Sequence, residues 1–597
     1  MSVGKAIHVS GKKSGAWLVR HALEQLPISH TFGIPGVHNT ELYDELNKSE
    51  RIHPVLVTHE GGASFIADAI SRTSQKGEIG VLVIVPAAGL THAMSGIGEA
   101  FLDGIPMLII SGGTRTDVPF GYQLHELDQH KILAGLTKGS WLVKDHREIV
   151  PTIYEAYHRA TSGTPGPVFV EIPVNLQLFQ GDADDVPDFQ PSPPAPVSPA
   201  ADGLLDQAVE LLVAARAPGL FVGWGAVDVA AETQQLADLL GAPVSTTLQG
   251  LSAFPGNHPL HTGMGFSRAA VPAAENAFKG GDCLLAIGTR FGEIPTGSFG
   301  CVVPENLIYI DINGEVLGRN FKPKVAIEGD ARTVVPRLLE KVRAKLAAGG
   351  LENANAARRS KVVAQIAADK KAYKKEWAAH VNDRVNPSLF FDALRARLAH
   401  QDIMVVDDGN HTFLAAELFP VGGPRSFVSP TDFNCMGYCV PAAIGAKLVN
   451  PQRQVVGIVG DGAFLMTGLE ILTATTEGAG VAYFIFSDGE LSQISQGQQI
   501  PYNRKTCTIV GTVRLEGIAT ATGARYIALE SNARIAAAID EALAVARSGQ
   551  PVIVDVRIDY SKRTRFTQGV VKTVLKRFPL GEKFRFIGRA VVRKVTG

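Results

Sequence analysis

At 597 residues the chain is long enough for several domains with large buried cores. Its 57 basic and 58 acidic side chains balance, which gives no sign of a nucleic-acid partner. No apolar run is long enough to span a bilayer, MSVGKAIHVSGKK is not of signal-peptide type, and the five cysteines contain no CxxC pair. The expectation is a cytoplasmic protein with reduced thiols and no integral membrane segment.

Strand-like runs alternate with helix-like runs nearly throughout, the pattern of an α/β fold with doubly wound parallel sheets. In the first block, 1–180, Val55–Thr58 reads as a strand and Gly61–Ser74 as an amphipathic helix, with Glu60 at the turn. Taken alone, Glu60 is an acid favoured by a helix N-terminus. Gly181–Gly203, rich in Pro and Asp, reads as an extended linker.

A second block, 204–345, carries VGWGA and LLAIGTRFGE; a lone GxG is weak support for a nucleotide. Ala354–His380 reads as a solvated helix leading to the third block, 383–558. There Val455–Val459 is a buried strand, Phe464–Glu477 a helix whose Leu465, Leu469 and Leu472 share one face, and Val481–Phe486 the next strand.

Asp461 and Asp488 end these two strands, each followed by glycine. A right-handed crossover brings both to one edge of the sheet, where such folds bind ligands. Two hard oxygen ligands beside a helix opened by the amides of Gly462 and Ala463 suit Mg²⁺ with a phosphate. The tail, 559–597, is basic: from Arg557 onward there are twelve Lys or Arg against Asp559 and Glu582. It reads as a partly ordered arm on a neighbouring subunit, with a lid over an anionic ligand or a membrane-surface anchor as alternatives.

The GDG of Gly460–Gly462, followed by Asp488, resembles the diphosphate and Mg²⁺ motif of thiamine diphosphate (ThDP) enzymes, and the whole block resembles acetolactate synthase. Three further segments match that family: NCMGYCVPAAIGAKL at Asn434–Leu448, DDGNHTFLAAELF at Asp407–Phe419, and HTFGIPGVHNTELYDEL with VTHEGGASFIADAISRTS. The resemblance implies pyrimidine-binding, middle and diphosphate-binding domains. It implies Asp461, Asp488 and the main-chain carbonyl of Glu490 as metal ligands. Met436 would hold the cofactor's V shape, beside Asn434. Gly409, Asn410 and His411 would close over the diphosphate, and Glu60 would bond the pyrimidine N1′ and promote cofactor deprotonation. It also implies at least a homodimer, with the tetramer open, and two sites shared between subunits.

The chain departs from the synthase pattern near the reaction centre. PAAGLTHAMSG at Pro86–Gly96 is closer to benzoylformate decarboxylase, with His92 at the family asparagine; His125 stands for the glutamine of FQE, and Gly497 for the tryptophan of GMVxQWQ. His92 and His125 are candidate acid/base groups, and Gln493 a candidate cofactor or substrate contact. In the middle block Gly292 and Ile294 break the GARFDDR pattern of flavin-binding relatives, which leaves FAD open. The expected function is a ThDP- and Mg²⁺-dependent carboligase on 2-oxo acids. The alternatives are a 2-oxo acid decarboxylase, a lyase of 2-hydroxyacyl-CoA substrates, or a non-catalytic subunit, the last opposed by the intact Glu60, Asp461 and Asp488.

Overall fold

The computed structural model describes residues 11–184 and 186–596. The polar lead at 1–10 lies outside the described residues. Three six-stranded sheets follow one another along the chain, and every ladder within them is parallel. The first runs, edge to edge, His53–Leu56, His30–Gly33, Gly80–Ile84, Met107–Gly113, Pro167–Pro173 and Ser140–Leu142. The second runs His261–Met264, Val244–Thr246, Pro218–Val222, Cys283–Ile287, Asn306–Asp311 and Val325–Glu328. The third runs Phe427–Val428, Ile403–Val406, Val455–Gly460, Val481–Ser487, Val552–Arg557 and Arg525–Leu529. Their central strands are apolar on both faces because helices cover both sides.

The first and third sheets are joined by two helices that are almost wholly buried, Glu60–Thr73 and Cys439–Val449. Gly445 permits the contact: a Cβ there would lie 2.3 Å from the Ile66 carbonyl oxygen. Arg72 sits inside this junction. It bonds Asp68 at 2.6 Å and Asp103 at 2.9 Å, lies 3.6 Å from Glu99, and Tyr438 donates its hydroxyl to Asp68.

Several expectations change. The linker is shorter than Gly181–Gly203. Gln180–Asp182 pairs antiparallel with Lys12–Ser14, and Ser198 caps a helix that already starts at Pro199. The bridging helix spans Glu352–Ala378 and is anchored rather than merely solvated, with Trp377 fully buried and Arg358 bonding the carbonyls of Leu240 and Ala215. The helix read over Phe464–Glu477 is broken into Asp461–Thr467, a 3₁₀ turn at Gly468–Glu470, and Ile471–Thr476. The break turns Glu470 inward to accept from the Thr58 amide at 2.9 Å and hydroxyl at 2.6 Å. It leaves Leu465, Leu469 and Leu472 facing outward, Leu469 64% exposed.

The tail, read as a partly ordered arm, is helical and packs on this chain. It forms the helices Arg565–Arg577 and Leu580–Thr596, folded back on their own chain. Phe566 stacks on Phe413 at 4.2 Å, and Glu417 accepts from the amides of Arg565 and Phe566. The second tail helix lies along Ser492–Tyr502, where Arg589 stacks on Tyr502. All five cysteines are free. No helix among the described residues is long and apolar enough to cross a membrane.

Candidate active site

The strands ending at Gly460 and Ser487 are neighbours, in register from Val455↔Val481 to Gly460↔Phe486. Their turns therefore leave the same sheet edge side by side. Asp461 opens the helix after the first strand and clamps both turns. Its Oδ1 accepts from the Gly462 amide at 2.8 Å, and its Oδ2 from the amides of Asp488 and Gly489 at 3.1 and 2.7 Å. Burial raises the Asp461 carboxyl pKa, and these three amides oppose the rise.

Asp488 is pushed up to about 6, chiefly by burial, with Asp461 adding to the rise. One of its oxygens accepts from the Ser492 hydroxyl, and Oδ1 is buried with no partner. The Glu490 carboxylate is taken by Lys505 and Ser495. The short pairing of Glu490 with Ile509 uses the Leu491 amide and the Gly489 carbonyl, so Glu490's own carbonyl stays outside it.

These residues wall a cavity of about 100 Å³ together with Gly409, Asn410, His411, Met436, Gly462, Ala463 and Gln493. Gly409 lies at φ +150°, and a Cβ on it would sit 2.6 Å from the His411 ring. His411 is buried and driven down to about 3, hence neutral. Asn434, at φ +65°, does not line the cavity; it bonds Asp408, which does. Four buried polar atoms of the lining have no partner: Asp488 Oδ1, Gln493 Oε1, His411 Nε2 and the Tyr560 hydroxyl. Two unpaired acceptors and an imidazole nitrogen around one opening need a cation or donor. They fit the Mg²⁺–diphosphate end of ThDP.

Asp407 was not singled out from the sequence, yet it holds this site together. Fully buried, it accepts from the amides of Asp408, Gly437 and Cys439 at 2.9, 2.9 and 2.7 Å. It thereby pins the Met436 segment to the strand Ile403–Val406. Its place between an apolar strand and the glycine turn was the available signal.

Glu60, His92 and His125 do not line this cavity. Glu60 is the first residue of its helix, 6% exposed, and its Oε2 lies 3.0 Å from His92 Nδ1. Gly89 lets Glu60 approach: a Cβ there would lie 3.3 Å from its Oε1. His59 stacks on His92 at 4.5 Å and accepts from the Gly61 amide. His125, at φ +66°, faces His38, with their Nδ1 atoms 3.2 Å apart. His38 and His59 are additions to the candidates; both stand inside the motif segments, one after FGIPG and one before Glu60.

A carboxylate clamp with unpaired acceptors lies on one sheet edge and a buried helix-initial glutamate in another domain, an arrangement that suits a charged cofactor. Comparison with known proteins says which. The N-terminal TPP binding domain of thiamine pyrophosphate enzymes matches residues 13–132, the central domain 205–338, and the C-terminal TPP binding domain 407–556. The acetolactate synthase large subunit of Corynebacterium glutamicum is 32% identical over 82% of this chain and 77% of its own. The isozyme 1 large subunit of Escherichia coli acetolactate synthase is 29% identical over 92% and 95%. The chain belongs to the thiamine pyrophosphate enzyme family and is an acetolactate synthase-like, ThDP-dependent enzyme.

Proposed function

We propose that the chain uses ThDP and Mg²⁺ to decarboxylate a 2-oxo acid and join the remaining fragment to a second carbonyl, within a cytoplasmic homodimer or tetramer. Asp461, Asp488 and the Glu490 carbonyl would hold Mg²⁺, with Gly462 and Ala463 amides on the diphosphate and Gly409–His411 closing over it. When bound, ThDP supplies the nucleophilic carbon that attacks the 2-oxo acid and lets CO₂ leave. Glu60 would hydrogen-bond the pyrimidine ring and so promote the deprotonation that activation requires. His92, with its side chain 49% exposed, connects Glu60 to solvent. The observation that carries this assignment is the set of unpaired atoms Asp488 Oδ1, Gln493 Oε1 and His411 Nε2 on one cavity.

Glu60 lies outside that cavity within one chain. The outward Leu465, Met466, Leu469 and Leu472 lie beside it in sequence. A second copy covering that face and bringing its own Glu60 to the cofactor accounts for both facts.

Gly497 faces open space: no atom lies within 4 Å of where a Cβ would stand, so no indole wall limits substrate size there. A 2-oxo acid bulkier than pyruvate is the expected donor or acceptor. Proton NMR of the protein with ThDP, Mg²⁺ and pyruvate, then with branched and aromatic 2-oxo acids, tests this. Carboligation products support the proposal; turnover of none of these acids overturns it. A second reading, plain decarboxylation to an aldehyde, is favoured by the solvent-linked His92 beside Glu60, and the same spectra would show the aldehyde alone.

Removing the metal with EDTA is expected to release ThDP, measured by filtration and cofactor assay. Asp488→Ala, which removes the side-chain ligand, should raise the Mg²⁺ needed for half-maximal ThDP retention by about tenfold or more. FAD is the finer question. Gly223 and Gly225 serve close backbone packing on Gly288, where a Cβ at Gly223 would meet the Gly288 carbonyl at 2.0 Å. A cavity of about 340 Å³ beside them, bordered by Asp311, Asp330 and Arg332, has room for a nucleotide. Visible flavin absorbance of the purified protein would establish FAD.

The tail bears on the acyl-CoA reading. Deleting 561–597 removes the Phe566–Phe413 stack and the cover over Ser492–Tyr502. Activity lost only with CoA thioesters would make the tail a lid for the CoA phosphates. The expectation from its packing is instead a general loss of thermal stability, with all substrates affected alike.

A further inference from the structure

We propose that a separate cavity, between the second sheet's domain, the bridging helix and the far end of the helix Asn410–Leu418, binds a small carboxylate with an apolar body. It measures about 370 Å³ and exposes more apolar than polar surface, to which Leu251, Val271, Ala273 and Phe419 contribute. That size suits a small-molecule site.

Lys370 is set into this wall without a carboxylate partner. Its ammonium makes one long hydrogen bond, 3.5 Å, to the Gly256 carbonyl, and burial holds its pKa down at about 8. Also on the wall is His261, 5% exposed, whose buried Nε2 has no partner. Both groups meet the Gly256 backbone on this wall, Lys370 through its hydrogen bond and His261 through its ring, and the Lys370 charge adds to the burial that keeps His261 neutral.

The other charges around the cavity are paired or open to water. Lys374 bonds Asp392 at 2.8 Å, and Asp369 accepts from Asn276 and Gln365 at 3.1 Å each. Glu417 accepts from the Tyr373 hydroxyl and the Arg565 and Phe566 amides. Lys371 is exposed. A half-buried ammonium without a counter-ion is costly, and a carboxylate relieves that cost with a charge-assisted hydrogen bond. The apolar wall then takes the rest of the molecule, and this combination selects an amphiphilic monocarboxylate over a phosphate or a dication.

This cavity shares no residue with the ThDP cavity. One helix connects them: Asn410 and His411 line the first, and Ala416, Glu417 and Leu418 the second. Glu417 also anchors the tail. An occupant here therefore touches the helix that opens at the cofactor.

The test is calorimetric titration of the full-length protein, with ThDP and Mg²⁺ present, using 4-methylpentanoate and its uncharged match 4-methylpentanamide. The acid is expected to bind saturably and the amide not. Lys370→Met should weaken binding by about tenfold or more, the loss of one charge-assisted hydrogen bond. Lys370→Arg should retain binding, and ThDP affinity should be unchanged in both. Lys370→Gln reads the same site should Lys370→Met fold poorly, and is expected to weaken the titration as well. Equal binding by Lys370→Met and the unaltered protein, equal binding of the amide, or no binding of the acid would overturn the proposal.

Discussion

Replacing Glu60 by glutamine is expected to lower kcat by about 10²–10⁴-fold, the usual contribution of a positioned acid/base group. ThDP affinity should change little, because the proposed site for the phosphate end, with Asp461, Asp488 and the Gly409–His411 turn, lies elsewhere. Glutamine keeps the size of the side chain and its place at the start of the helix, so folding should survive. It removes the carboxyl that shares a hydrogen bond with His92 at 3.0 Å. Steady-state kinetics with a turned-over 2-oxo acid, paired with a ThDP binding assay, separates the two effects. Full activity in Glu60→Gln would revive a non-catalytic role for the whole Glu60–His92 pair.

The largest stability effect is expected at Arg72. Its guanidinium is buried against Asp68, Glu99 and Asp103 in the junction of the first and third sheets. Burial pushes the Asp68 and Glu99 carboxyls up, and Arg72 opposes this in both. Methionine at 72 would fill much of the volume but leave Asp68 and Glu99 without a cation and Asp103 with only Arg290, 3.9 Å away. Breaking a buried pair in this way typically costs about 3–5 kcal/mol. The acids also hold the third sheet's loop: Glu99 accepts from the Thr431 amide at 3.0 Å, and that loop leads to Met436. Arg72→Met should therefore lower the melting temperature and the yield of folded protein, and loosen ThDP retention. A melting temperature equal to that of the unaltered protein would show that the cluster contributes nothing net.

The cofactor site was legible in the sequence because each of its parts is local. An apolar β-branched run, a glycine and an acid at the strand's end specify a turn whose chemistry does not depend on distant residues. Asp461 and Asp488 could be read that way, whereas Gly409, Met436 and Glu60 were picked out by the resemblance of the segments around them. The broken helix could not. Leu465, Leu469 and Leu472 have helical spacing, but only Thr58, more than four hundred residues earlier in the chain, decides that Glu470 turns inward and the leucines outward. The tail's composition likewise showed charge but not a partner, since Phe413 and Glu417 lie about 150 residues away in sequence.

By itself, then, the sequence determined three α/β units and the family through its motif segments, and short-range pattern placed Asp461 and Asp488 at the ends of neighbouring strands; the role of Glu60 came from the resemblance. The tertiary structure alone decided that His92 meets Glu60, that His125 meets His38, that Asp407 pins the Met436 segment, and that Lys370 and His261 share a cavity. Each of those pairings is a contact between elements from different parts of the chain, set by sheet order and helix packing, and residue spacing carries no signal of it.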